Sequence, residues 1–454
     1  MPTVAAQRRR LTNARTHEST TSLPGSDATL ILCVGSWSWL RRLLVLAVCA
    51  AFLTAGCSAP SRAPMLPPMG WNSWNSGVSL TEQTVRQTVD AMVSSGLRDA
   101  CYRYVNLDAG WAASTRDRNG KLQADPARFP RGIAAVARYA HDRHMYLGIY
   151  HSPFNQGCGQ DPRIGGAGHE RNDAQTFADW GVDYLKYDWC RPQATHAVQL
   201  RYFSAMRDAL RATGRRIFYS INPNSSDDAT AGTRYDWSKI ADMNRNSVDL
   251  VPAWGNDALW SRGLAGVVQG AGVAIPQADR SGPTHINDPD MMVVGLGWNE
   301  FVRTHPTMSL GPAQPGLNDT EQRAHFSLWA MLAAPLLAGN DVRRMSPQTL
   351  AILTNRDVIV VDQDPLVAQG QPLQGDPRVW IKPLADGAVA VALTNAGATA
   401  GDVGTTAAAV GLPAGDCYRV RDLWTHTESD STGAVGPVLV PSHGVAMFTV
   451  NSCG

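Results

Sequence analysis

A chain of 454 residues with 44% apolar and 17% charged residues has ample material for a core, as two or three domains or as one large barrel with a smaller appendage. Its formal net charge of +1 supplies no overall attraction for nucleic acid or an anionic surface. Its 14 tryptophans, with aromatics gathered around Trp71, Trp74, Trp111, Trp180 and Trp189, suit either the apolar faces of sugar rings or an ordinary core.

The first 57 residues carry a targeting pattern rather than a fold. Arg41 and Arg42 precede an apolar run at 43–53, followed by Thr54, Ala55, Gly56 and Cys57. The run is too short to cross a bilayer as a helix. Its Leu-Thr-Ala-Gly-Cys ending resembles a bacterial lipobox, in which the cysteine becomes the lipidated first residue of the mature protein. Thr54 stands where leucine is commoner, so free secretion is the alternative. Residues 1–40 are long and polar for the start of such a signal, and Val34 is a reasonable true initiator. The Pro-, Ser- and Ala-rich stretch 58–68 reads as a tether.

From 69 to 365 short apolar strands alternate with amphipathic helices. Strands are expected at 69–75, 102–108, 145–150, 182–188, 216–222, 239–244, 286–294 and 335–341. Helices are expected between them, at 81–95, 132–143, 174–180, 197–212 and 321–333. Eight strands separated by helices imply a parallel sheet with right-handed crossovers, and eight is the number that closes a (β/α)8 TIM barrel. After Asp364-Pro365 helical periodicity stops, and short runs at 379–383, 389–394, 417–423 and 445–450, punctuated by Gly and Pro, predict an antiparallel β-sandwich domain over 366–454. The expected fold class is therefore α/β, a barrel followed by a β domain.

Export permits disulfides. Beyond Cys57 stand Cys101, Cys158, Cys190, Cys417 and Cys453, an odd number that leaves at least one free or paired between chains. Cys417 and Cys453 sit near the two ends of the β domain and could staple it. No cysteine or histidine grouping has metal-ligand spacing, so no metal or other cofactor is expected.

The most informative stretch is 182–190, a strand in which Tyr184, Lys186 and Asp188 share one face while Leu185 and Tyr187 share the other. A lysine and a carboxylate at the end of an apolar strand are costly to bury unless paired or used. A strand-end salt bridge would explain that pair alone. In a (β/α)8 barrel, however, function gathers at the C-terminal strand ends. There the predicted strands place Trp74, Asn75, Asp108, Tyr150, Lys186, Asp188, Asn222, Asp242, Asp288 and Asp290. Carboxylates converging without metal ligands suit glycosidic bond cleavage, in which one ionised group attacks and a protonated one releases the leaving group.

The motifs in this region resemble glycoside hydrolase family 27, whose best-known members are α-galactosidases. They include Gly70-Trp71-Asn72-Ser73-Trp74-Asn75, Tyr104-Val105-Asn106-Leu107-Asp108, Leu147-Gly148-Ile149-Tyr150 and Tyr184-Leu185-Lys186-Tyr187-Asp188. Ile240-Ala241-Asp242, Asn287-Asp288-Pro289-Asp290-Met291, Ala334-Pro335-Leu336-Leu337 and Val361-Asp362-Gln363-Asp364-Pro365-Leu366 continue the barrel match, and Arg421-Asp422-Leu423-Trp424 falls in the β domain. The resemblance spans roughly residues 65–454. It implies a retaining double displacement with Asp188 as nucleophile and Asp242 as general acid/base, their carboxyls about 5–5.5 Å apart. Lys186 would contact sugar hydroxyls and help keep Asp188 ionised. Asp242, on an apolar strand, would be held protonated. Trp74, Asp108, Tyr150 and Met291 would form the pocket wall, and Cys158 and Cys190 would form a disulfide beside the nucleophile strand, leaving Cys101 without a partner. Asp288 and Asp290, flanking a proline, are expected as turn residues as readily as ligands.

Departures from the family pattern bear on the sugar. Ala109 replaces the second of two adjacent aspartates that grip O4 and O6 of galactose, Asn222 replaces a glutamate near O2, and Ser238 replaces an arginine four residues before the acid/base. Gly110 and Gly77-Val78 stand where a second family disulfide would be. Loop 151–165, with His151, Asn155 and Gln156, or the insertion 250–285 would have to supply replacement contacts. The leading expectation is an exported, α-galactosidase-type retaining hydrolase of a carbohydrate substrate, with membrane contact only through a lipid on Cys57. The alternatives are the same chemistry on another sugar, as in isomalto-dextranases or β-L-arabinopyranosidases, and a non-catalytic carbohydrate-binding lipoprotein.

Overall fold

The computed structural model describes residues 64–453 apart from 159–163, 191–194, 226–227 and 256, so the leader, Val34 and Cys57 lie outside the described residues. Among the described residues no helix is long and apolar enough to cross a membrane.

Eight parallel strands form the barrel: β1 (Met69–Asn72), β2 (Tyr104–Leu107), β3 (Tyr146–His151), β4 (Tyr184–Asp188), β5 (Phe218–Asn222), β6 (Met243–Arg245), β7 (Ile286–Asp288) and β8 (Leu336–Ala338). They pair in chain order, with β8 returning to β1. The ring closes between β7 and β8 through a parallel bridge from Met292 to Ala338, where the Met292 N–H donates to Leu337 and the Gly339 N–H to Met292. The helices expected from the apolar period are present, including Glu82–Ser94, Ile133–His141, Glu170–Trp180, His196–Ala212 and Asp319–Leu332. Strand alternation does what a period of two requires. Leu185 and Tyr187 are fully buried on the helix side, where Tyr187 meets Phe203 and Tyr219, while Lys186 and Asp188 point into the barrel mouth. At the opposite end Tyr104, Tyr184, Phe218, Met243 and Ile286, the first residues of their strands, close the floor with Met65 packed against them. Gly148 is required by close approach: a Cβ there would collide with the Asn106 side chain of the neighbouring strand.

The sixth strand departs from expectation. The N–H groups of Ile240 and Ala241 both donate to the Trp237 carbonyl (2.8 and 3.1 Å), which winds 237–240 into a turn, and β6 begins only at Met243. Asp242 therefore stands at the start of a barrel strand, not at its functional end.

After the barrel, helices Pro347–Leu353 and Arg356–Asp362 lead into a six-stranded antiparallel sheet ordered Gln371–Leu373, Asp376–Pro383, Val389–Thr394, Val445–Ser452, Tyr418–Asp422, Glu428–Ser431. A second sheet pairs Gly401–Thr406 with Ala434–Val440, and Val379, Val391, Val403, Val435, Phe448 and Val450 are among the residues that fill the space between. This sandwich leans on helix Asp319–Leu332: the fully buried Lys382 donates to the Ala330 carbonyl (2.9 Å), and the Trp424 indole donates to Ser327 Oγ (3.0 Å). Cys417 and Cys453 are joined by a disulfide, as are Cys158 and Cys190. Cys101 is also disulfide-bonded, which corrects the expectation that it lacks a partner. That expectation counted only cysteines from 101 onward, whereas the chain has eight.

Candidate active site

A cleft of about 620 Å³ opens at the C-terminal ends of the strands. Trp74, Asp108, Tyr150, Lys186, Asn222 and Met291 all line it, together with Asp188 and the Cys158–Cys190 disulfide. Lys186 Nζ donates to Asp108 Oδ2 at 2.8 Å and lies 4.0 Å from Asp188 Oδ2, with the Tyr150 ring 5.5 Å beneath it. Burial disfavours the charge on Lys186, but Asp108 and Asp188 more than offset this and hold the ammonium well above its usual range. The Ala109 N–H donates to Asp108 Oδ1 (2.9 Å), so both oxygens of that carboxylate are engaged. The Tyr150 hydroxyl accepts the Cys158 N–H (3.3 Å), which ties the disulfide loop to β3. Trp74 is 38% exposed at the rim, braced edge-on by His305, whose Nε2 bonds the Trp74 carbonyl (3.1 Å).

Asp188 ends β4 with one oxygen, Oδ1, buried and without a hydrogen-bond partner among the described residues. Burial pushes its carboxyl up; Lys186 pulls the other way, and Asp108 and Asp249 add to the rise. Lys186 thus favours the ionised form as expected, but burial outweighs it and the net direction is upward. The lysine spends its short bond on Asp108 instead.

Asp242 is not brought together with Asp188. Its Oδ2 accepts the Tyr219 N–H (2.9 Å), Arg216 lies 3.7 Å from Oδ1, and the carboxylate lines a separate cavity at the strand starts. Besides Asp108 and Asp188, the cleft holds a third carboxyl, Asp249, four residues past the end of β6. Its segment Asp249–Leu250 pairs in parallel with Leu264–Ala265, which turns the chain over the mouth. Arg245, at the end of β6 and 3% exposed, holds it at 3.0 Å through NH2 and holds Asp290 at 2.9 Å through NH1. Asp290 in turn accepts the N–H groups of Leu250 and Met291, both at 2.7 Å. Asp290 is thus a positioning residue that fixes the Asp249 segment to β7, rather than a turn residue alone. It adopts φ 98°, a left-handed conformation that a non-glycine residue holds only where surrounding bonds enforce it. The Asp249 side chain is 40% exposed to the cleft; burial raises its pKa, but Arg245 and then Lys186 outweigh this, and the net shift is downward.

The signal for Asp249 was present in the sequence. An arginine four residues before the acid/base is part of the family pattern, and Arg245 stands four before Asp249. Asp249 meets that spacing, which Asp242, with Ser238 four before it, does not. Of the loops expected to supply new contacts, the insertion contributes Ser261, Arg262 and Gly263 to the rim. His151 turns away, buried against Asp173 (2.9 Å).

Three carboxyls and three cations at the C-terminal mouth of a closed (β/α)8 barrel with an appended sandwich define a glycosidase. The description "Alpha galactosidase A" matches residues 66–364, and "Alpha galactosidase C-terminal beta sandwich domain" matches 374–450. The chain belongs to the α-galactosidase family, glycoside hydrolase family 27. It is 37% identical over 388 residues to an alpha-galactosidase of Cyamopsis tetragonoloba, covering 85% of this chain and 86% of that one. It is 36% identical over 404 residues to alpha-galactosidase A of Cellvibrio japonicus, covering 85% and 92%. The crystal structure of alpha-galactosidase I from Mortierella vinacea superimposes with a TM-score of 0.75 at 30% identity, covering 85% and 97%.

Proposed function

We propose that the protein hydrolyses terminal α-linked galactose from oligo- or polysaccharides with retention, with Asp188 as nucleophile and Asp249 as general acid/base. The observation that carries this reading is a pair of carboxyls lining one cleft, one from the end of β4 and one from the segment after β6, each beside its own cation. Oδ1 of Asp188 is buried while its side chain keeps 16% of its surface exposed, so Oδ2, on the Lys186 side, is the oxygen open to the anomeric carbon. As the glycosyl ester forms, the glycosidic C–O bond breaks and the departing oxygen takes a proton from Asp249. Asp249 is held down in the open cleft; a bound substrate strips water from its exposed face and raises its pKa, so protonation is coupled to binding. In the second half-reaction Asp249 takes a proton from water, whose oxygen attacks the ester and regenerates Asp188. The Asp108–Lys186 pair would bind sugar hydroxyls, with Trp74 as a platform under the ring.

The catalytic unit is read as 69–365 and the sandwich as 366–454. The disulfides, the one on Cys101 included, are consistent with export into an oxidising compartment. A panel of nitrophenyl α-galactoside, α-glucoside, β-L-arabinopyranoside and dextran tests the sugar. The highest kcat/KM is expected on the α-galactoside, and a faster rate on any of the others would overturn the galactose reading while leaving the carboxyl pair in place.

A further inference from the structure

Of the three cations that line the catalytic cleft, two are committed to its carboxylates. Lys186 lies between Asp108 (2.8 Å) and Asp188 (4.0 Å), and Arg245 between Asp249 (3.0 Å) and Asp290 (2.9 Å). The third, Arg262, is exposed and makes no ion pair among the described residues. Its Nη1 donates to Ser309 Oγ at 3.3 Å, a neutral partner that leaves the positive charge unmatched.

The backbone sets Arg262 beside the acid/base. The N–H groups of Arg262 and Gly263 donate to the carbonyls of Leu259 (2.9 Å) and Trp260 (3.0 Å), and the turn so formed leads at once into Leu264, the parallel partner of Asp249. Asp249 gives its proton to the departing glycosidic oxygen, so the leaving group must come within hydrogen-bond reach of Asp249 and hence up to this turn. The segment 305–311 then braces two rim side chains at once. His305 packs edge-on against Trp74 and bonds its carbonyl (3.1 Å). Ser309 accepts from Arg262, and Gly311 approaches the guanidinium so closely that a Cβ there would come within 2.8 Å of Nε. An exposed indole and an oriented guanidinium on one brace are the parts of a site for a negatively charged sugar: the ring packs on the aromatic surface, and the fork meets a planar carboxylate in two bonds.

The geometry points to Arg262 as the residue that selects the leaving group, favouring an aglycone that carries a carboxylate, a uronic acid, at the bond to be cut. This inference rests on the proposed glycosidase reading, with Asp249 as the acid. Charge excludes the other end of the cleft for such an anion, because there it would meet Asp108 and Asp188, whose shared cation Lys186 is already engaged. The sugar transferred to Asp188 is therefore neutral, and only the leaving group is anionic. The Asp249 proton goes to the glycosidic oxygen, and the uronic acid departs through that hydroxyl with its carboxylate unchanged.

The test compares galactosyl-α-1,4-glucuronate with the corresponding glucuronamide, two substrates of nearly equal shape that differ by one charge. The wild-type chain is expected to favour the acid in kcat/KM by about tenfold, a rim contact to a charged group being worth less than a buried one, and the preference should shrink as salt rises. Arg262→Gln should bring the acid-to-amide ratio to about one, chiefly through a higher KM for the acid, while Arg262→Lys, which keeps the charge and loses the fork, should retain part of it. Equal rates of the wild type on acid and amide, or a ratio that survives Arg262→Gln, would overturn the assignment. Hydrolysis of nitrophenyl α-galactoside by the wild type reads the galactose proposal separately: if another glycoside of the panel is cut faster, the same acid and amide aglycones on that sugar decide the role of Arg262.

Discussion

Replacing Asp249 and Asp242 one at a time by alanine separates the two carboxylates that compete for the acid/base role. Asp249→Ala removes a side chain anchored by Arg245, and that guanidinium keeps its bond to Asp290 at 2.9 Å, so the β6 end should hold its shape. General acid catalysis is worth about 10²–10⁴-fold, or about 3–5 kcal/mol. A loss of that size in kcat/KM is expected on a substrate with a poor leaving group such as a disaccharide. A dinitrophenyl glycoside needs no protonation to depart, so its first turnover should proceed as a burst and stall at the ester. Azide, a nucleophile needing no general base, should then release the glycosyl azide with retained configuration. Asp242→Ala has the opposite profile. It deletes an acceptor for the Tyr219 N–H at the barrel floor, costing about 1.5–3 kcal/mol of stability before discounting for its partial exposure, and leaves kcat within a few-fold. Steady-state kinetics on both substrates and thermal melts of both variants give the answer. If Asp242→Ala shows the burst and azide rescue while Asp249→Ala turns over disaccharide normally, the assignment is refuted.

Asp188→Asn should abolish turnover, because a carboxamide cannot form the glycosyl ester, and it should also stabilise the fold at neutral pH. Asp188 has a folded pKa above the ordinary 3.8 because of burial, so its ionised form penalises folding above that folded value. The gain in melting temperature should shrink as pH falls through the folded pKa and vanish below about 3.8; a gain that persists at low pH would show another cause. Ala109→Asp places a charged acceptor beside Asp108 on the cleft wall and should raise kcat/KM on a simple α-galactoside about tenfold to a hundredfold, from about 1.5–3 kcal/mol per charged hydrogen bond. An unchanged rate would mean that the galactose hydroxyls already find their partners elsewhere in the cleft.

The barrel was legible because seven of its strands announce themselves through apolar runs, and the eighth-fold alternation with helices leaves few other closures. Strand β4 is the clearest case: period-two alternation in 184–188 assigns Lys186 and Asp188 to one face before any coordinates exist, and the fold puts that face in the mouth. Strand β6 was not legible, for a physical reason. It is three residues, Met-Asn-Arg, two of them polar, and these are buried because tertiary partners satisfy them. Asn244 donates to the Gly232 carbonyl through Nδ2 and accepts from the His285 ring at Oδ1, while Arg245 is neutralised by Asp249 and Asp290. No local hydrophobic period marks such a strand, so the neighbouring Ile240-Ala241 attracted the assignment and carried Asp242 to the wrong end of the barrel. The residue types needed for catalysis were thus determined by the sequence alone, as was the class of fold. Which carboxylate faces Asp188 was decided only by where the chain turns at Trp237, because a few residues of register separate the floor of a barrel from its mouth.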